Sequence, residues 1–103
     1  MNKAGNMTQP ILDALENWFK AQCDGDWEHS YGLSIESIDN PGWHVEIDLA
    51  ETALASVELP FSRNERSESD WVQFEVRAGK FTGSGGVGNL TEVLRQFLAL
   101  TQA

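Results

Sequence analysis

Tyr31-Gly32-Leu33-Ser34-Ile35-Glu36-Ser37-Ile38-Asp39-Asn40-Pro41-Gly42-Trp43-His44-Val45-Glu46-Ile47-Asp48-Leu49 holds two runs of alternating apolar and polar residues around a central Asp-Asn-Pro-Gly. A period of two is the signature of a strand with one buried face, and the four central residues are turn formers, so the stretch predicts an antiparallel hairpin. A slip of one residue would send an apolar set to water, which fixes the register. Ile35 then faces Val45, Leu33 faces Ile47 and Tyr31 faces Leu49. The same register sets Glu36 opposite His44, Ser34 opposite Glu46 and Gly32 opposite Asp48 on the outward face. An open, acidic strip is predicted there.

Upstream, Thr8 can cap a helix entered through Pro10, and Ile11, Leu12, Leu15, Trp18 and Phe19 recur at helical spacing, predicting a helix over residues 9–22. Gly25, between Asp24 and Asp26, breaks it. Downstream, Val57, Leu59 and Phe61 predict a third strand in which Pro60 marks a sheet edge or a strand end. The polar stretch Ser62 to Asp70 predicts a loop. Val72, Phe74 and Val76 predict a fourth strand, and Lys80 to Thr82 a short return strand. The glycine run Gly83 to Gly88 then predicts a tight connection that lets a helix pack closely on the sheet. Asn89, followed three positions later by Glu92, predicts a helix cap, and Leu90, Val93, Leu94, Phe97 and Leu98 form the stripe of that second helix. Helix, about five strands, helix implies an α+β domain spanning 1–103, with residues 1–8 expected to be flexible. Its antiparallel sheet would carry both helices on one face and leave the acidic hairpin face free.

The chain has 103 residues, of which 41% are hydrophobic and 10% aromatic, enough for one core and too few residues for a two-domain cofactor enzyme. Sixteen acids against seven bases give a net charge of −9. Eleven acids and one lysine lie between Asp13 and Ser62, while the remainder from Arg63 is balanced. Such a field repels phosphate backbones and anionic lipid and attracts cationic surfaces, which argues against nucleic acid or membrane as direct partners. A single cysteine excludes a disulfide framework, and the absence of an apolar leader leads to the expectation of a cytoplasmic protein.

Cys23-Asp24-Gly25-Asp26-Trp27-Glu28-His29 places a thiol, three carboxylates and an imidazole within seven residues. The carboxylates beside Cys23 raise its pKa and so oppose a nucleophilic thiolate. A calcium loop starting at Asp24 would need glycine where His29 stands and glutamate where Ile35 stands. Two histidines, His29 and His44, are a weak metal set, and Glu36 explains His44 without one. The glycine run has neither the Lys-Ser/Thr of a phosphate loop nor the dinucleotide fingerprint. No cofactor, metal or catalytic residue is therefore assigned. Trp18 and Trp43 fall on apolar stripes and read as core, whereas Trp27 and Trp71 read as exposed anchors.

The block Trp18 to His29, with Tyr31-Gly32, Asp39-Asn40-Pro41-Gly42-Trp43, Ile47-Asp48-Leu49 and the Gly-Gly-x-x-Asn-Leu ending at Leu90, closely resembles the immunity protein 53 family of bacterial polymorphic toxin systems. The resemblance implies a non-enzymatic, cytoplasmic antidote that binds a cognate toxin domain and protects its producer. The acidic half of the chain suits a toxin with a basic cleft. On that reading, Asp24, Asp26, Trp27, Glu28, Glu36, His44, Glu46 and Asp48 are the expected partner-binding residues. Two other classes stay open at this level: a small metal-dependent or cysteine-based hydrolase using Cys23, His29 and His44, and a general protein-binding adaptor. Monomer and homodimer are equally compatible with the sequence.

Overall fold

A computed structural model describes residues 10–102, so the Thr8 cap lies outside the described residues. Helix α1 spans Pro10–Gln22 and the one-turn helix α2 spans Trp27–Ser30. Five strands follow, β1 Leu33–Ile38, β2 Gly42–Asp48, β3 Leu59–Glu65, β4 Trp71–Arg77 and β5 Lys80–Gly86, and helix α3, Leu90–Leu100, closes the chain. All neighbours in the sheet are antiparallel, in the order β1-β2-β5-β4-β3. The fold is α+β, as the alternating and helical periods imply.

The hairpin register is the predicted one: Leu33 pairs with Ile47, Ile35 with Val45, and Glu36 with His44. The ladder's pairs begin at Leu33, and beyond them the Asp48 amide donates to the Gly32 carbonyl at 2.9 Å. Helix α3 lies across β5, β4 and β2, and α1 packs alongside α3. Between them and the sheet, Val45, Ile47, Leu49, Val72, Val76 and Phe81 meet Leu15, Val93, Leu94, Phe97 and Leu98 in one core. Full burial of each such side chain contributes about 1.5–3 kcal/mol, which makes this layer the main support of the fold. The α1 stripe is narrower than its spacing implies, because Leu12 and Phe19 remain 60% and 37% exposed.

Three segments differ from the sequence reading. Strand β3 continues through Ser62, Arg63, Asn64 and Glu65, which had the composition of a loop; as a sheet edge it is exposed from Pro60 onward, so no alternation was required of it. A register shift between Leu59 and Ser62 surrounds Pro60. Residues 83–86 of the glycine run are the second half of the central strand β5, with Gly83, Gly85 and Gly86 buried, and only Val87 and Gly88 make the turn toward α3. The close packing expected of it is nonetheless present. A Cβ on Gly83 would stand 2.7 Å from Val93 Cγ1, and one on Gly85 3.1 Å from Val93 Cγ2. Asn89 occupies the start of α3 without making a side-chain cap, and its Nδ2 donates to Asp70 Oδ1 and Glu92 Oε1 at 2.9 and 3.2 Å.

Candidate functional site

Strand alternation places one side chain of every second residue on the sheet face opposite the helices. The pairings then define rows across that face. One row reads Glu36, His44, Ser84, Gln73, Arg63, and the next Ser34, Glu46, Thr82, Glu75. A third carries Asp48, Lys80 and Arg77. Among the described residues no helix packs on this face. On β1 and β2 its charged groups besides His44 are the acids Glu36, Glu46 and Asp48, whereas on β3 and β4 Glu65 and Glu75 stand beside Arg63 and Arg77.

Within the acidic part, His44 Nδ1 lies 2.8 Å from Ser84 Oγ and Nε2 lies 3.0 Å from Glu46 Oε2. Lys80 Nζ stands 3.6 Å from Glu46 and 3.8 Å from Asp48. The His44 hydrogen bond and then the Lys80 charge hold the Glu46 carboxyl below its ordinary pKa. Asp48 also accepts the Gly32 amide at 2.9 Å, which joins the strip to the chain entering β1. Glu36, Glu46 and Asp48 are thus carboxylates on one surface, with Lys80 as the local base and Glu36 exposed at the edge.

A serine, an imidazole and a carboxylate in contact invite comparison with a hydrolase. The geometry opposes it. Ser84 is only 7% exposed and sits within a regular strand whose neighbours on both sides, β2 and β4, occupy its backbone, so no pair of free amides stands ready as an oxyanion hole. The arrangement orients His44 and Glu46 as surface groups.

The acidic turn has its own internal logic. Asp24 Oδ1 accepts the amides of Asp26 and Trp27, each at 3.0 Å, and the Glu28 carboxylate accepts those of Asp24 and Gly25, each at 2.9 Å. Gly25, at φ +95°, takes the left-handed position that this closure needs. Backbone amides lower both carboxyl pKa values, those of Trp27 and Asp26 for Asp24, and its own amide first, then those of Asp24 and Gly25, for Glu28. The Cys23 thiol is pushed up, first by desolvation and then by Glu28 and Asp24, and its Sγ contacts the Phe19 carbonyl at 3.3 Å. A thiolate nucleophile has no support here. Among the described residues no group of three His, Cys, Asp or Glu side chains is arranged to hold a metal ion.

The expectations for tryptophan need correction. Trp27 is not an exposed anchor: at 4% exposure it turns inward, donates Nε1 to the Ala50 carbonyl at 2.9 Å, and lies edge-on to Trp18 at 6.0 Å between centroids. The capped turn aims it there. Trp71 does point to the open face, as its parity implies, but is only 8% exposed, with the Arg63 guanidinium 4.7 Å above its ring. It forms the floor of an open cleft of about 560 Å³, bordered also by Asn40, Pro41, Gln73 and Val87. Trp43 is half-buried at the rim rather than in the core, its Nε1 donating to the Val87 carbonyl at 2.9 Å.

The eight expected partner-binding residues therefore divide. Glu36, His44, Glu46 and Asp48 share the open face; Asp24, Asp26 and Glu28 stay at the surface of the turn; Trp27 belongs to the interior. Sequence reasoning missed a further cluster. Arg66 grips Asp70 at 2.8 Å and Glu92 at 2.6 Å, while Asn89 bridges the same two carboxylates, tying the β3–β4 loop to the start of α3. The Asn89–Glu92 spacing of three reads as a helix cap, and the separations of 19 and 26 that bring Asp70 and Arg66 to it leave no local pattern.

Among the described residues no helix is long and apolar enough to cross a membrane. No curated protein and no solved structure matches the chain. A family model does, over residues 12–102, covering both long helices and the whole sheet, and the chain accordingly belongs to the immunity protein 53 family.

Proposed function

We propose that the chain neutralises its cognate toxin in the cytoplasm by setting the acidic β1–β2 side of its open sheet face against a basic surface of the toxin. Membership of the family implies toxin binding and a non-catalytic role. The observation that supports the surface is the row geometry: Glu36, Glu46 and Asp48 sit together on a face that no described helix covers, with Lys80 as the base beside them. Asp24, Asp26 and Glu28 extend the negative field from the neighbouring turn, while Trp27 holds that turn to the core. Many basic surfaces belong to enzymes acting on nucleic acid, and an anionic inhibitor competes for the same field.

The test is co-expression with a toxin domain encoded beside this chain. Wild type should restore growth, and the triple reversal Glu36→Lys, Glu46→Lys, Asp48→Lys should lose at least about tenfold in affinity, the scale of a few like-charge contacts. Full protection by a folded triple variant would exclude this surface. Failure of wild type to protect would exclude the neutralising role itself.

A further inference from the structure

The two edges of the sheet are built differently. On β3 the edge is interrupted by Pro60 and a register shift and carries Arg63, devices that discourage another strand from pairing. On β1, Leu-Ser-Ile-Glu-Ser-Ile runs in unbroken register, with no proline, bulge or lysine. Among the described residues no strand lies beyond it.

Backbone alternation tells which of its groups are unused. Asp48 donates to Gly32, so this pair is hydrogen-bonded, and in an antiparallel ladder the bonded pairs recur at every second residue: Ser34 with Glu46, Glu36 with His44, Ile38 with Gly42. The Leu49 amide donates to Gly79 on the other side of β2, which confirms the phase, since odd residues of β2 serve β5 and even residues serve β1. The amides and carbonyls of Leu33, Ile35 and Ser37 hence point away from the sheet. Their side chains lie on the helix face, where Ile35 remains 37% exposed. Beside them Leu15, Phe19 and Leu33 line an apolar groove of about 390 Å³ with Glu16 at its rim. On the opposite face stand Glu36 and, one strand in, Glu46 and Asp48.

We infer that the β1 edge is a docking strand for an extended segment of the toxin that alternates apolar residues, facing the α1 groove, with basic residues, facing Glu36. This rests on the toxin-binding reading and adds a backbone mode to it. Charge selects the occupant: a second copy of a chain of net charge −9 would bring like charges together, whereas the basic residues of such a strand meet the carboxylates of the open face, Glu36 first.

The experiment follows amide hydrogen exchange by NMR, with an acetylated octapeptide of alternating valine and lysine as probe and its valine–glutamate counterpart as control. In the isolated chain the amides of Leu33, Ile35 and Ser37 should exchange freely while those of Ser34, Glu36 and Ile38 are protected. The lysine peptide should slow the first three by at least about tenfold at saturation, and the glutamate peptide should not. Ser37→Pro removes one outward donor without touching the β2 ladder and should weaken the peptide about fivefold, the worth of one hydrogen bond. Four results overturn the inference: no slowing, equal slowing by both peptides, protection already present in the isolated chain, which would place residues 1–9 on the edge, or protection that grows with protein concentration, which would place a second copy there. The peptide readout does not involve the toxin, so failure of neutralisation by wild type and failure of edge docking are separate results.

Discussion

Arg66 shows how single side chains secure the frame that carries the open face. Its guanidinium meets two carboxylates, Asp70 and Glu92, and the Asn89 amide repeats the bridge from a buried position. Those contacts hold the Asp70 and Glu92 pKa values below ordinary, Arg66 being the largest cause for each. A carboxylate whose folded pKa is depressed contributes stability that is complete above its unfolded value and is lost as pH falls through the folded value. The stabilisation should therefore be present at neutral pH and decline below about pH 4, where unfolded Asp and Glu titrate. Urea denaturation of wild type and Arg66→Met across this range checks it: wild type should be the more stable at pH 7, and the gap should close as acid protonates the pair. A gap independent of pH would show that Arg66 acts through packing of its stem alone. Residue-level features of this kind were the least legible in the sequence. Trp27 looked exposed because it stands in an acidic turn, yet Asp24 and Glu28 spend their oxygens on backbone amides, and the closed turn directs the indole inward. The aspartate before a glycine and the glutamate after it were the available signal.

Legibility at the level of elements depended on whether an element has one covered face. The β1–β2 hairpin could be read to the residue because Val45 and Ile47 are fully buried while His44 and Glu46 are not, so the alternation of the chain records the alternation of its surroundings. Strand β3 has no such contrast, and its polar half passed for a loop. Strand β5 failed for the opposite reason: its glycines carry no hydropathy signal, and a Cβ has no room at Gly83 and Gly85 because Val93 of α3 is too close, or at Gly86 because the Ser69 carbonyl is. Substitution tests that statement. Gly83→Ala would set a methyl 2.7 Å from Val93 Cγ1 and 3.1 Å from the Phe81 ring, two groups of the same core. Overpacking of this kind costs about 1–3 kcal/mol. Gly88→Ala, where nothing lies within 4 Å of the added carbon, should stay within about 0.5 kcal/mol of wild type. Equal denaturation midpoints for the two variants would mean that α3 can shift without cost.

The whole molecule is a slab whose described residues extend 41 × 40 × 26 Å, with helices on one broad side and the sheet's open face on the other. That shape, with the charge confined largely to residues before Arg63, gives the protein an electrical as well as a geometric direction. On β3 and β4 Arg63 and Arg77 balance Glu65 and Glu75, whereas Glu36, Glu46 and Asp48 outnumber Lys80, so a basic partner approaching the open face should be drawn to the β1–β2 side first. Attraction over such distances acts on the rate of encounter, and salt shortens its reach from about 30 Å at 0.01 M to about 8 Å at 0.15 M. Association of wild type with the toxin domain should accordingly slow by at least about tenfold across that range, while dissociation changes little, because rim charges steer encounter more than they hold the complex. In the variant Glu36→Gln, Glu46→Gln, Asp48→Asn the shape is kept and most of the local field is gone; its association rate should start lower and lose most of its salt dependence. Stopped-flow measurements on the two proteins separate the contributions. A salt dependence identical in both would move the steering charge off the open face and onto the Asp24–Glu28 turn and α1, where five of the eight remaining acids before Arg63 lie.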